Sequence, residues 1–180
     1  MRRMLFLLAR RAVLPALVGA GATIAWMMIE YLTGLQETRA GRVTGFIAIP
    51  IAAGATLWGI GRAATDIPRL GGRLALGALI TTFASLLIAG WTWVYLTTIN
   101  PEFTAREARR YESELLARGR DAGEAAAAAR EYQTALDPSQ QAVLSVMVAP
   151  IPGAMFALIA HGWLRRRRRS GEPTSSSRGA

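Results

Sequence analysis

The sequence predicts an all-α polytopic membrane protein with four transmembrane helices and an extramembrane helical hairpin between the third and the fourth. Three observations predict it. Hydrophobic residues make up 52% of the chain, more than a soluble core of this size calls for. They gather in runs long enough to cross about 30 Å of hydrocarbon, for which an α-helix needs about 20 residues. A single polar run, from Thr97 to Gln141, separates the last two of these.

The expected spans are 12–32, 43–60, 74–96 and 142–163, and Glu30 is the only charged residue within them. Arg2 and Arg3 ahead of an apolar stretch imitate a secretory leader. Arg10 and Arg11 interrupt that stretch, however, and the apolar segment after them is long enough to span, so the reading is a retained signal-anchor helix. Residues 1–169 form one membrane domain on this reading. The low-complexity end, 170–180, is expected to be a disordered cytoplasmic tail.

Arginine sets the orientation, since basic residues in short loops and tails stay on the cytoplasmic side. With the N-terminus inside, that side carries Arg2, Arg3, Arg10, Arg11, Arg62, Arg69, Arg73, Arg165 to Arg169 and Arg178. The short outer loop holds only Arg39 and Arg42. Both termini are therefore expected in the cytoplasm of a bacterial cell, with the chain in the inner membrane and residues 97–141 in the periplasm. Tyr31, Trp91, Trp93 and Tyr95 fall near the outer ends of their spans and Trp58 and Trp163 near the inner ends, where amphipathic rings sit at headgroup depth. Trp26, about a turn deeper, reads as packing.

Close packing of spans needs small residues at four-residue spacing, because lipid tails are as apolar as leucine. The first span offers Ala12, Ala16 and Ala20. The second offers Ala48, Ala52 and Thr56, or alternatively Ala55 and Gly59. The third shows Gly77, Thr81, Ser85 and Ala89, and the fourth Ala149, Gly153, Ala157 and His161. Pro150 and Pro152 should bend or loosen the fourth span, as each removes a backbone donor.

The polar run reads as two helices, about 100–137. Asn100-Pro101-Glu102 is a helix start, with Asn as cap and Pro at the first position. Expected ion pairs are Glu102 with Arg106, Arg110 with Glu114, and Glu114 with Arg118. Ala108, Tyr111 and Leu115 form the less polar face. Gly119 and Gly123 break the run, and Asp121 with Glu124 resembles a capping box. The second helix presents Ala125, Ala129, Tyr132 and Leu136. Asp137-Pro138-Ser139-Gln140 then caps the approach to the fourth span. The run's eight acids and six arginines nearly balance, which argues against capture of a free anion or cation.

The absence of cysteine removes disulfides and thiolate sites. His161, the lone histidine, removes multi-histidine metal sites. No phosphate loop, zinc-protease helix or nucleophile elbow occurs, so no catalytic, cofactor or metal residues are assigned and the chain is not expected to be an enzyme. All 21 basic residues are arginine, but they sit at the ends of apolar runs and no recognition motif accompanies them, so nucleic acid is not an expected partner. Arg165, Arg166, Arg167, Arg168 and Arg169 are expected to contact anionic lipid headgroups, each contributing about 1 kcal/mol.

From Gly59 to Arg169 the order of features resembles a family of small bacterial membrane proteins classed only as a domain of unknown function, numbered four-one-nine-nine. The residues that carry the resemblance are Gly61-Arg62, Gly71-Gly72, Asn100-Pro101-Glu102-Phe103, the Gly119 and Gly123 turn, and Asp137-Pro138. The resemblance implies four spans with a helical insert and no established activity.

The polar residues inside the expected bundle, Glu30, Thr81, Ser85 and His161, are the site candidates, since ionisable groups within spans are functional candidates by default. The leading expectation is a non-enzymatic interaction or accessory module that meets a protein partner or a second copy of itself. The alternative is a small transporter or channel-like subunit using Glu30 and the polar face of the third span.

Overall fold

A computed structural model describes residues 2–35, 38 and 44–170; the side chains of residues 2, 3, 5, 45 and 167–170 lie outside that description, as does the tail beyond residue 170 that was expected to be disordered. Among the described residues every regular element is a helix. In order these are α1 (Arg2–Leu32), a 3-10 turn (Gly45–Ile47), α2 (Ala48–Arg62), α3 (Leu70–Val94) continued by a π-helical turn (Tyr95–Ile99), α4 (Phe103–Ala117), α5 (Ala122–Ala135), α6 (Pro138–Val148) and α7 (Pro150–Ser170). Two compact units result, Met1–Ala84 with Ala149–Ala180, and Ser85–Val148.

The first unit is assembled on small residues. Ala12, Ala16 and Ala20 of α1 are buried, while Val13, Leu14, Leu17 and Val18 on the same helix stay 46–51% exposed. Alanine inward and branched aliphatics outward is the arrangement expected where helices must approach each other closely and the surroundings are themselves apolar. α1 lies against α2, so that a methyl group on Gly19 would come within 2.9 Å of Ala55 Cβ. One on Gly59 would meet Pro15 Cγ at 2.7 Å and Ile80 Cδ1 at 2.8 Å. Pro15, which removes a backbone donor within α1, thus seats in a notch that only glycine leaves open. Of the two stripes considered for the second span, Ala55 and Gly59 make these contacts, and Thr56 is fully buried beside them.

α3 and α7 run antiparallel in a continuous register. Thr81 lies against Gly153, Gly77 faces both Gly153 and Ala157, and Arg73 meets His161. Each step is four residues on either helix, the spacing that keeps side chains on one face. A Cβ on Gly77 would be 3.0 Å from Ala157 Cβ and would collide with the carbonyl oxygen of Gly153, while one on Gly153 would collide with Thr81 Oγ1 and the Gly77 carbonyl. Backbone therefore touches backbone here.

At the chain's start the structure extends the expected first span. Helix α1 runs unbroken through Arg10 and Arg11, and Arg11 pairs with Asp66 of the α2–α3 connection. The second span is instead shorter than expected, since its α-helix covers 15 residues behind a 3-10 turn. The fourth is interrupted at Ala149, between α6 and α7. Pro150 and Pro152 sit just beyond the break, where a missing donor is least costly.

In the second unit, α4 and α5 form the expected hairpin. Gly119 turns the chain at φ +79°. Its N–H donates to Leu116 O at 2.9 Å and that of Arg120 to Leu115 O at 3.1 Å, the paired bonds of a Schellman termination. Asp121 accepts from the N–H groups of Gly123 and Glu124 at 2.8 and 3.4 Å. Gly123 consequently lies inside the first turn of α5 rather than in the break, and Glu124 turns to Arg120 at 3.4 Å. Ala108, Leu115, Ala125 and Ala129 close the interface, capped by Tyr111 against Tyr132 with ring centroids 4.8 Å apart. Asp137 caps α6 by accepting from Ser139 and Gln140 N–H at 2.9 and 3.2 Å, as its Asp-Pro start suggested.

Gly153→Val should lower stability by about 1–3 kcal/mol, the usual cost of forcing extra atoms into a filled contact. Gly162→Ala, where a methyl meets nothing within 4 Å, should be neutral or slightly stabilising. Thermal unfolding of the two variants in one detergent, followed by near-ultraviolet circular dichroism, reads the difference.

Candidate functional site

The most densely bonded polar cluster stands where the α3–α7 register ends. Arg73 is 3% exposed, although its position just ahead of an apolar run marked it as a topology-setting arginine at the membrane surface. Instead it turns into the bundle. Its Nε donates to Ile67 O at 2.9 Å, Nη2 to Ala64 O at 3.2 Å, and Nη1 to His161 Nδ1 at 3.0 Å. Guanidinium has only donors, so Nδ1 must be the acceptor and the imidazole carries its proton on Nε2. Local sequence explains the two carbonyls. The chain leaves α2 at Arg62 through a tight turn that includes Ile67 N–H to Ala63 O at 2.8 Å, and Pro68 supplies no donor of its own. The carbonyls of this turn are thus directed inward, and a fixed planar fork meets them.

Of the residues expected to form a polar bundle site, His161 and Thr81 lie along this register. Thr81 is buried, and its hydroxyl donates to Gly77 O and Ala78 O of its own helix, each at 3.1 Å. Its polarity is satisfied locally, so what it brings to the seam is shape. Ser85, a turn further on, is half-buried and belongs to the second unit. Glu30 is 6% exposed and lies elsewhere, accepting a bond from the Thr44 hydroxyl, while Trp26 Nε1 donates to Thr44 O at 3.2 Å. Glu30 and Trp26 together therefore fasten the start of the second helical region to α1, and Trp26 is more than packing. Arg165 and Arg166 are exposed; the side chains of Arg167, Arg168 and Arg169 lie outside the described residues.

A further polar network occupies the second unit. The π-helical turn closes with Asn100 N–H to Tyr95 O at 2.8 Å. Asn100 Nδ2 donates to the Tyr95 hydroxyl and Arg106 Nη2 donates to Asn100 Oδ1, both at 2.8 Å. Two expectations are corrected by it. Asn100 does not cap a helix with its side chain, because α4 begins at Phe103 and the amide is committed to Tyr95 and Arg106. Tyr95 is 3% exposed, held by Asn100 and by Phe103 in an edge-on contact at 6.3 Å, and so is not a headgroup-facing ring. Arg106 is directed away from the Glu102 pairing that its spacing offered, whereas Arg110 reaches Glu107 at 3.1 Å and Glu114 at 3.8 Å.

Arg73 could have been singled out from the sequence. It lies four residues before Gly77 and eight before Thr81, on the packed stripe, and its charge alone argued for the surface. Asp66, Thr44 and the Tyr95 hydroxyl gave no comparable signal, since each meets its partner only through the fold. Among the described residues, no three His, Asp or Glu side chains gather as a metal site.

Stretches Phe6–Leu32, Leu70–Ile99 and Pro138–Arg166 are each helical, long and apolar enough to cross a bilayer, which with the inward alanines and glycines puts this chain in the class of helical membrane proteins. Within that class it belongs to the family described as protein of unknown function (DUF4199), whose model matches residues 15–166. No curated protein and no solved structure matches the chain.

Removing either partner of the Arg73–His161 bond should destabilise the bundle, and a double-mutant cycle with Arg73→Leu and His161→Phe should give a coupling of about 1.5–3 kcal/mol, the range for hydrogen bonds to charged groups. Additive effects in thermal unfolding would show that the two side chains do not cooperate.

Proposed function

We propose that the protein is a four-span accessory module of a bacterial inner membrane, with both termini cytoplasmic and the α4–α5 hairpin presented to a protein partner in the periplasm. The observation that carries this reading is the self-sufficiency of the hairpin. It closes its own small-residue interface and carries its ion pairs on exposed or half-exposed faces. Such pairs contribute little to stability, so a charged helical pair of this kind is better suited to recognition than to holding the bundle together.

Support for a fourth span comes from lengths. The 3-10 turn and α2 together cover Gly45 to Arg62, about 28 Å at the usual rises, against about 30 Å of hydrocarbon. The arrangement of the first unit also favours termini on one side. Arg11 in the first third of α1 pairs with Asp66 between α2 and α3, and His161, midway along α7 and near the end of the expected fourth span, meets Arg73 just after that connection.

The second reading, a small transporter or channel-like subunit, draws on the burial of Glu30. Under it, Glu30→Gln abolishes a flux across proteoliposomes that the native protein supports.

Reporter fusions after Gln36, Thr97 and Gly171 are expected to read periplasm, periplasm and cytoplasm; a cytoplasmic signal at Thr97 overturns the arrangement. Affinity purification from gently solubilised membranes should retain a partner with the native chain and lose it when residues 104–136 are replaced by a short Gly-Ser linker. Recovery of the same bare monomer from both chains overturns the accessory role.

A further inference from the structure

Between α2 and α7 the first unit contains a cleft of about 680 Å³, inside the roughly 300–1,000 Å³ range typical of small-molecule sites. Its walls are Leu57, Ile159 and Leu164, and two tryptophans, Trp58 and Trp163, stand at its edges, 41% and 57% exposed. One cation is built into the lining. Arg62, in the last turn of α2, lies with its guanidinium carbon 5.1 Å from the centre of the Trp58 ring, a cation–π distance that positions the charge at the lip. Arg165 and Arg166 come within one helical turn of Trp163 on the other side.

We propose that this cleft binds one anionic phospholipid, an acyl chain against the Leu57 and Ile159 walls and the phosphate at Arg62. The proposal rests on the reading of the chain as a membrane protein and adds to it a defined site. An apolar channel ending in arginine and flanked by indoles matches the three chemical zones of a phospholipid in order, namely chain, interface and phosphate. Basic pockets between helices on the cytoplasmic side hold such headgroups. The surface arginines of the tail attract any anionic bilayer; Arg62 differs because the ring beneath it fixes where the phosphate must lie, and the fixed geometry gives selection among lipids.

The test uses the full-length protein in a nonionic detergent, titrated with phosphatidylglycerol or phosphatidylcholine carrying brominated acyl chains, with quenching of tryptophan emission as the readout. Phosphatidylglycerol should quench at lower mole fraction. Arg62→Gln should weaken it by about fivefold, the factor corresponding to ~1 kcal/mol for one headgroup arginine, and weaken phosphatidylcholine by a smaller factor, because the choline cation offsets the charge of its phosphate. Gly61→Phe projects a ring from the cleft lining at a position where a Cβ meets nothing within 4 Å; with its near-ultraviolet circular dichroism matching the native protein, it should weaken the saturable quenching for both lipids. Equal affinity of the native protein for the two lipids, or unchanged quenching in Gly61→Phe, overturns the site. So does a dimer trapped through Leu57→Cys in this otherwise cysteine-free chain, which would assign the cleft to a second copy. Carbonate extraction of native membranes separates the two levels: release of the protein sinks the membrane reading itself, whereas retention with a failed titration sinks only the lipid site.

Discussion

The contact on which the first unit depends is the backbone crossing at Gly77 and Gly153. In lipid no hydrophobic force draws two helices together, because the tails solvate leucine as well as another helix does. Dispersion at short range remains, and it grows as the backbones close. The crossing sets the α3–α7 separation to its minimum, and the neighbours in the register are consequences of it. Thr81 must turn its hydroxyl back to its own helix because Gly153 is against it. Ala157 is fully buried because Gly77 leaves room for one methyl and no more. Arg73 and His161 are brought within 3.0 Å because one further helical turn beyond the Gly77–Ala157 contact places them opposite each other.

A buried arginine at the end of such a seam calls for a physical account. Its charge is not removed by burial, since guanidinium stays protonated in proteins. Desolvation must therefore be offset by hydrogen bonds, and two of the acceptors are carbonyls in the turn that joins α2 to α3. The same side chain thus ties three segments: its own helix, the preceding turn and α7. Lysine would not replace it, because a point-like ammonium cannot address three acceptors spread around a plane. The Arg11–Asp66 pair binds the start of α1 to that same turn from the other direction. It lies more exposed, where screening leaves an ion pair little net energy, so its part is to position rather than to hold.

The sequence was informative wherever one periodicity or one local rule decides the outcome. Apolar run length placed the helices, four-residue spacing of small residues marked the buried faces, and Asp121, Gly119 and Asp137 announced their turns through chemistry that acts within a few residues. It was uninformative where two local rules compete or where the partner is remote. Asn100 has the composition of a cap, yet Tyr95 and Arg106 offer its amide both an acceptor and a donor, and a buried amide satisfied on both sides is more stable than a cap facing water. Arg73 obeyed the charge rule and the stripe rule at once, and the stripe prevailed because the fold supplies acceptors there. The Trp26–Thr44–Glu30 link joins residues 14 and 18 positions apart in the chain, and no local pattern encodes it.

The π-helical turn shows how such competition becomes structure. An i→i+5 bond inserts one residue into the helical count and shifts the face that everything after it presents. Tyr95 opens the turn and Asn100 closes it, and the hydroxyl of one takes the amide of the other. Through Asn100 the turn is joined to Arg106 in the first turns of α4. The direction in which α4 leaves is accordingly set by side-chain bonds and not by a flexible connection. A hairpin mounted on such a joint keeps a fixed relation to the turn that precedes it. The joint therefore serves the proposed role better than a glycine linker could, because recognition by a rigid element loses less conformational entropy on binding.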